Sequence, residues 1–242
     1  MTEQEWLACP DPQKMLEFLR GKASERKLRL FACACCRRVW HLIPPYHRRT
    51  VEVAESFSDG LATWAELNES YQVGEDRPGS FDEGDFDPAG EGEDYDPYCV
   101  PWPSTATSAC GLTTGKDAAD DASNWSAWLA GWTRPADVYR DERKAQTHLL
   151  RDVTGNPFCP IPPKRRMKQW KEQLRLWLTW NGGTIMKIAQ AIYEERAFDR
   201  LPILADALEE AGCHDADILG HCRQPGEHVR GCWVVDLLLG KE

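Results

Sequence analysis

Long apolar runs are missing from this chain. No stretch approaches the ~20 consecutive apolar residues of a membrane-spanning helix, so no membrane partner is expected. The start, Met1-Thr2-Glu3-Gln4-Glu5-Trp6, is acidic and no apolar run follows it, which argues against a secretory signal peptide. With neither signal, the expected setting is cytoplasmic, where thiols stay reduced. The ten Cys then read as core residues, metal ligands or reactive thiols, not as a disulfide framework. Period-two alternation of apolar and polar residues is absent as well, which argues against strands.

Catalytic signatures are equally scarce. There is no His-Glu-x-x-His, no Gly-x-Ser-x-Gly, no Gly-x-Gly-x-x-Gly and no deaminase His-x-Glu. Gly111-Leu-Thr-Thr-Gly-Lys116 is one residue short of a phosphate loop, and Asp117 stands where a magnesium-binding hydroxyl is needed. Asp85-x-Asp87 opens like a calcium loop but has Pro88 inside and Ala89 at a ligand position. An enzyme is therefore not the expected reading.

What the chain does have is helical periodicity, tryptophan and unevenly placed charge. Its 242 residues are 42% apolar, enough to build a core without help from disulfides or metals. Eleven Trp imply several flat aromatic packing surfaces. The formal charge of −10 is almost entirely local. Residues 74–98 hold ten carboxylates against Arg77 alone, so the overall charge argues neither for nor against nucleic acid.

The spacing predicts an all-α fold, an irregular helical bundle or helical-repeat-like array with a long acidic loop. Asp11 with Pro12 opens a first helix. Ser24 caps a second, running to about Leu42, that is apolar over more than half its circumference. A third is expected over 46–69. Residues 72–104 read as a solvated acidic loop, and 105–153 as middle helices that include Trp125, Trp128 and Trp132 on one face. Residues 154–242 read as a C-terminal helical part carrying a Cys/His cluster. In that part Pro202 starts a helix, Asp215 caps a short one, and a last helix is expected from His228 to Leu239. The parts 1–71, 72–104, 105–153 and 154–242 are expected to form one domain.

Two stretches carry a resemblance. They are Arg26-Lys-Leu-Arg-Leu-Phe-Ala-Cys-Ala-Cys-Cys-Arg-Arg-Val-Trp-His41, and the run from Ile192-Tyr-Glu-Glu-Arg-Ala-Phe-Asp-Arg-Leu-Pro202 through His228-Val-Arg-Gly-Cys-Trp-Val-Val-Asp-Leu-Leu-Leu-Gly240. With Gly155-Asn-Pro-Phe158 they resemble a large paralogous family of uncharacterised bacterial proteins. The resemblance covers the two ends and not the middle. It implies a helical fold and a cytoplasmic setting, and it supplies no catalytic residues.

Two constellations carry chemistry. Cys213, Cys222, His228 and Cys232 are spaced Cys-x8-Cys-x5-His-x3-Cys. Cys and His converging on one point make a tetrahedral zinc site. The spacing resembles the zinc fingers of Cys-Cys-Cys-His type with the last two ligand types exchanged. A last helix would place His228 and Cys232 at i, i+4 on one face, with His221 as the alternative to Cys222. Free Cys is often simply buried, so structural Cys and His without a cofactor are the expectation here and zinc is the alternative. In the triple Cys33, Cys35, Cys36 the same argument favours small core residues at close helix contacts.

The second constellation is the basic stretch Lys164, Arg165, Arg166, Lys168, Lys171 and Arg175, with Trp170 and Trp177 interleaved. Cations beside aromatic planes suit single-stranded nucleic acid. The competing expectation is an amphipathic helix whose Trp170 and Trp177 pack inward. The leading expectation for function is a non-enzymatic helical module that binds another protein. The alternative is a nucleic-acid-binding protein, with or without a stabilising zinc, that uses the basic and aromatic stretch 164–177.

Overall fold

The structure, a computed structural model, describes residues 1–43, 45–75, 119, 121–124, 126, 127, 136–159 and 167–241. Among these there are helices and turns and no strand. No helix among them is long and apolar enough to cross a membrane. The helices are α1 (Glu3–Ala8), α2 (Pro12–Leu19), α3 (Glu25–Arg38), α4 (Pro45–Ser58), α5 (Trp64–Glu75), α6 (Ala136–Thr154), α7 (Met167–Thr179), α8 (Thr184–Glu195), α9 (Leu201–Glu210), α10 (Ala216–Arg223) and α11 (Trp233–Leu239). The chain divides into two compact units. One holds residues 9–147; the other holds 1–8 together with 148–242.

In the unit of residues 9–147, the caps fall where the sequence puts them. The Asp11 carboxylate accepts from the backbone N–H of Gln13 at 3.0 Å, with Pro12 at the first helical position. Ser24 Oγ accepts from the N–H of Lys27. Helix α3 is buried on most of its circumference, through Leu28, Leu30, Phe31, Ala32, Ala34 and all three cysteines, Cys33, Cys35 and Cys36. Burying each larger apolar side chain contributes about 1.5–3 kcal/mol.

The basic residues of α3 are structural. Arg26 pairs with Asp59 at 2.9 Å, Arg37 with Glu55 at 2.9 Å and Arg38 with Glu142 at 2.8 Å. All three acids are buried, and a buried carboxylate needs a charged partner. Glu142 also lies beside Gln146, whose amide is held by Ser123 and Ser126.

One expected helix becomes two. The 46–69 pattern is interrupted after Ser58, where Gly60 adopts φ +71° in the left-handed region. Thr63 then restarts the chain with a capping box. Its N–H donates to Glu66 Oε2 at 2.7 Å, and the Glu66 N–H donates back to Thr63 Oγ1 at 3.3 Å. Helix α5 runs on through Glu75, so the first residues assigned to the acidic loop are helical. The rest of that loop and Trp125, Trp128 and Trp132 lie outside the described residues.

In the other unit, α8 packs on α7, α9 and α11, and α10 packs on α9. Its core gathers Trp177, Ile185, Ile192, Leu204, Leu208 and Val235. Helix α1 belongs to it too. Trp6 is fully buried, its carbonyl accepts from Arg151 Nη2 at 2.7 Å, and Glu3 accepts from Asn156 Nδ2 at 2.6 Å. The last helix begins at Trp233 and not at His228. His228 and Cys232 therefore do not share a helical face.

Candidate metal centre

Four side chains meet where α6, α10 and the loop before α11 come together. Helix α6 delivers Asp152 two residues before its end. The helix stops because Gly155, at φ +68°, turns the chain out of register. A Cβ on Gly155 would lie 3.3 Å from the Trp233 ring, so only glycine lets that indole sit against the turn. Helix α10 delivers His221. Its first turn is fixed by Asp215, which accepts from the N–H groups of Asp217 and Ile218. The loop after α10 brings in His228, and Cys232 stands at the N-cap of α11.

The donor atoms of Asp152, His221, His228 and Cys232 all lie within 4.8 Å of one another. His221 Nε2 is 3.1 Å from Asp152 Oδ1 and 3.2 Å from Cys232 Sγ. His228 Nδ1 is 2.5 Å from the same Asp152 oxygen. The other carboxylate oxygen, Oδ2, accepts from the backbone N–H of Val229 at 2.9 Å. The His221 ring packs edge-on to His228 at 4.8 Å and tilted against Trp233 at 5.0 Å. Asp152 and Cys232 are buried, and the two imidazole side chains are 8% and 5% exposed. The donor atoms are thus largely shielded from bulk water.

The protonation states follow from that burial. Burial pushes the Asp152 carboxyl up, but hydrogen bonds from His221 and His228 outweigh it and hold it below its ordinary value. Burial works against charge on His228, and the Asp152 carboxylate overrides it and raises its pKa. Burial, reinforced by the Asp152 charge, drives the Cys232 thiol well above its ordinary range. Without an ion, then, the group is an anionic Asp152 clamped by imidazoles, beside a protonated thiol.

That arrangement is not a nucleophilic triad. In such a triad one imidazole nitrogen faces the thiol and the other faces the acid. Here a single nitrogen, His221 Nε2, faces both, and the thiol is held protonated. The arrangement does suit a cation. Two imidazole nitrogens, one carboxylate oxygen and one sulfur match the ligand types of zinc. Tetrahedral zinc sets its donors ~3.3–3.8 Å apart, from bond lengths of ~2.0–2.3 Å. The 3.1 and 3.2 Å separations are already close to this, and the His228–Asp152 pair has to open by about 1 Å.

Of the zinc ligands expected from sequence, the structure brings together His228 and Cys232 and leaves Cys213 and Cys222 out of the donor group. Both are buried in the apolar core, where burial pushes the Cys213 thiol up and the Cys222 thiol up to about 12. The reason is rotational. His221 and Cys222 are neighbours on α10 and point about 100° apart, so only one of them faces the centre, and it is His221. Asp152 had no signal in the sequence beyond being one acid among many. Its distance along the chain from His221 hides it.

The basic stretch divides differently. Lys164, Arg165 and Arg166 lie outside the described residues. On α7, Lys168, Lys171 and Arg175 are exposed, and Arg175 pairs with Glu172 at 2.7 Å. Trp170 and Trp177 meet edge-on at 5.5 Å, with Trp177 2% exposed and Trp170 packed against the core. Their rings serve the fold, and the cations line the opposite face. No family model matches the chain, and no curated protein and no solved structure does.

Proposed function

We propose that the chain is a non-enzymatic helical interaction module whose C-terminal part is clamped by one zinc ion. The convergence of Asp152, His221, His228 and Cys232 carries the zinc half of this proposal. Four protein donors fill a tetrahedral shell, and a filled shell leaves no position for a substrate or an activated water, as in structural zinc sites. Zinc binding displaces the Cys232 proton, and the thiolate it leaves neutralises part of the ion's charge. The ion then ties the end of α6 to α10 and to the start of α11.

The interaction half is supported by a rigid apolar corner in the other unit. Leu61 is 78% exposed and Trp64 is 50% exposed, with Phe57 edge-on to Trp64 at 6.0 Å. The Thr63–Glu66 capping box holds the backbone of that corner, which lowers the ordering cost for a partner protein. The setting we propose is cytoplasmic, where Cys232 stays reduced and able to ligate.

Elemental analysis of protein purified without a His tag tests the zinc half. About one zinc per chain is expected, and less than ~0.2 per chain overturns it. Titration with single-stranded oligonucleotides at low salt tests the partner class. The protein-binding reading expects no salt-dependent shift.

A further inference from the structure

The side chain of Gln224 lies just outside the donor group. Its amide nitrogen is 3.2 Å from His221 Nδ1, the ring nitrogen that faces away from Asp152 and Cys232. Gln224 closes α10, with its own N–H donating to the Gly220 carbonyl at 2.9 Å. Its backbone is therefore fixed while its side chain is at the surface.

We infer that Gln224 is the positioning residue that sets His221 for metal coordination, an inference that rests on the zinc reading above. A neutral imidazole carries one N–H and one lone pair. Coordination through Nε2 needs the lone pair there, which puts the proton on Nδ1. Nδ1–H then needs an acceptor. The Gln224 amide supplies one when its carbonyl oxygen occupies the position of its nitrogen, a half-turn about the last side-chain bond.

The same amide also serves the metal-free state. With its NH2 toward His221, Nδ1 accepts, and the ring proton sits on Nε2, where it donates to Asp152 Oδ1 at 3.1 Å. Gln224 can therefore satisfy His221 in both states, because it alone among neutral side chains, with Asn, has a donor and an acceptor of the same shape. Loading proceeds with a clear proton balance. Zn2+ enters, the Cys232 proton leaves to solvent, the His221 proton moves from Nε2 to Nδ1, and His228 gives up the Nδ1 proton it donates to Asp152. Outer-shell partners of metal-bound histidines commonly change affinity by ~10–100-fold when removed. Because Gln224 is at the surface, water replaces part of what it provides, which places the effect near the lower end.

Two substitutions test this. Gln224→Leu removes both donor and acceptor, and Gln224→Glu keeps an acceptor only. Zinc affinity is read by competition with a chromophoric chelator, and the geometry by the visible absorption of the Co2+-loaded protein. Gln224→Leu is expected to bind Zn2+ ~10-fold more weakly, with a changed Co2+ spectrum, and Gln224→Glu at least as tightly as the native chain. A Gln224→Leu affinity equal to the native one overturns the inference, as does an equal loss in both variants. If Gln224→Leu does not fold, Gln224→Ala, which also lacks donor and acceptor, is read in its place: a Zn2+ affinity ~10-fold below the native one supports the role and an equal affinity overturns it. A native chain that takes up no zinc defeats the zinc reading and this inference together. A native chain that binds zinc while Gln224→Leu binds it equally defeats the inference alone.

Discussion

Asp152→Asn isolates what the centre contributes. The carboxamide has nearly the shape of the carboxylate, so it opens no cavity. Its chemistry does not fit. Asp152 Oδ1 faces His221 Nε2 and His228 Nδ1, while Oδ2 accepts the Val229 N–H. Whichever way the amide turns, its NH2 confronts Val229 N–H on one side or the two imidazoles on the other. Turned toward Val229, the NH2 leaves two buried donors facing each other; turned toward the imidazoles, it forces the rings to shift their protons and accept, at a cost of about 1–3 kcal/mol. Removing the anion that supports His228 adds the loss of a charge-assisted bond, about 1.5–3 kcal/mol. Together this is about 2.5–6 kcal/mol, which brackets the ~3–5 kcal/mol found when one partner of a buried ion pair is removed.

Urea unfolding in the presence of a chelator measures it. With a slope of about 1–3 kcal/mol per molar urea, a loss of about 3–5 kcal/mol lowers the midpoint by roughly 1–5 M. A loss below ~1 kcal/mol in chelator refutes the reasoning, because it means the carboxylate is not the hub the distances imply. A second arm adds zinc. At a hundredfold excess over its dissociation constant zinc stabilises the native chain by about 2.7 kcal/mol. The variant is expected to gain less than ~1 kcal/mol, and an equal gain removes Asp152 from the ligand set.

Two further outcomes concern positions away from the donors. Gly155→Ala forces a β-carbon into the left-handed region and against the Trp233 ring at 3.3 Å. It is expected to cost about 1–2 kcal/mol, lowering the melting temperature by roughly 3–6 °C in calorimetry; an unchanged melting temperature refutes the contact. In the other unit, burial of His47 lowers its pKa from 6.5 to about 4. The folded chain resists a proton that the unfolded chain takes. Stability is therefore complete above pH 6.5 and lost as pH falls toward 4, by about 1–2 kcal/mol once local relaxation is allowed for. Replacing His47 by Gln is expected to flatten the slope of stability against pH over that window, as urea midpoints at several pH values would show.

The helices and several of their stops were legible in the sequence because their causes are local. Asp11 with Pro12, Ser24 and Asp215 each satisfy backbone N–H groups two or three residues away, and the caps stand where expected. The inward turn of Trp170 and Trp177 followed from helical spacing alone. The apolar period continues across Gly60 and hides the break between α4 and α5, which is marked locally by the Thr63–Glu66 box that restarts the helix. The donor group was half legible. His228 and Cys232 stood out by residue type and spacing, and His221 was one of two neighbours between which only the rotation of α10 decides. Asp152 was not legible at all. Its role is set by the packing of α6 against residues about seventy positions further on.

Helix α1 has a consequence for how the chain is made. Glu3 and Trp6 reach partners at Asn156 and Arg151, 153 and 145 residues later. At roughly 5–20 residues per second, Trp6 therefore waits on the order of ten seconds, its indole uncovered, before Arg151 has even been synthesised. The unit that holds the candidate metal centre cannot complete itself as it emerges. It must recover the first helix after the last ones have formed. A fusion placed ahead of Met1 is thus a burden on the last hundred residues of the protein and not on those that follow it directly.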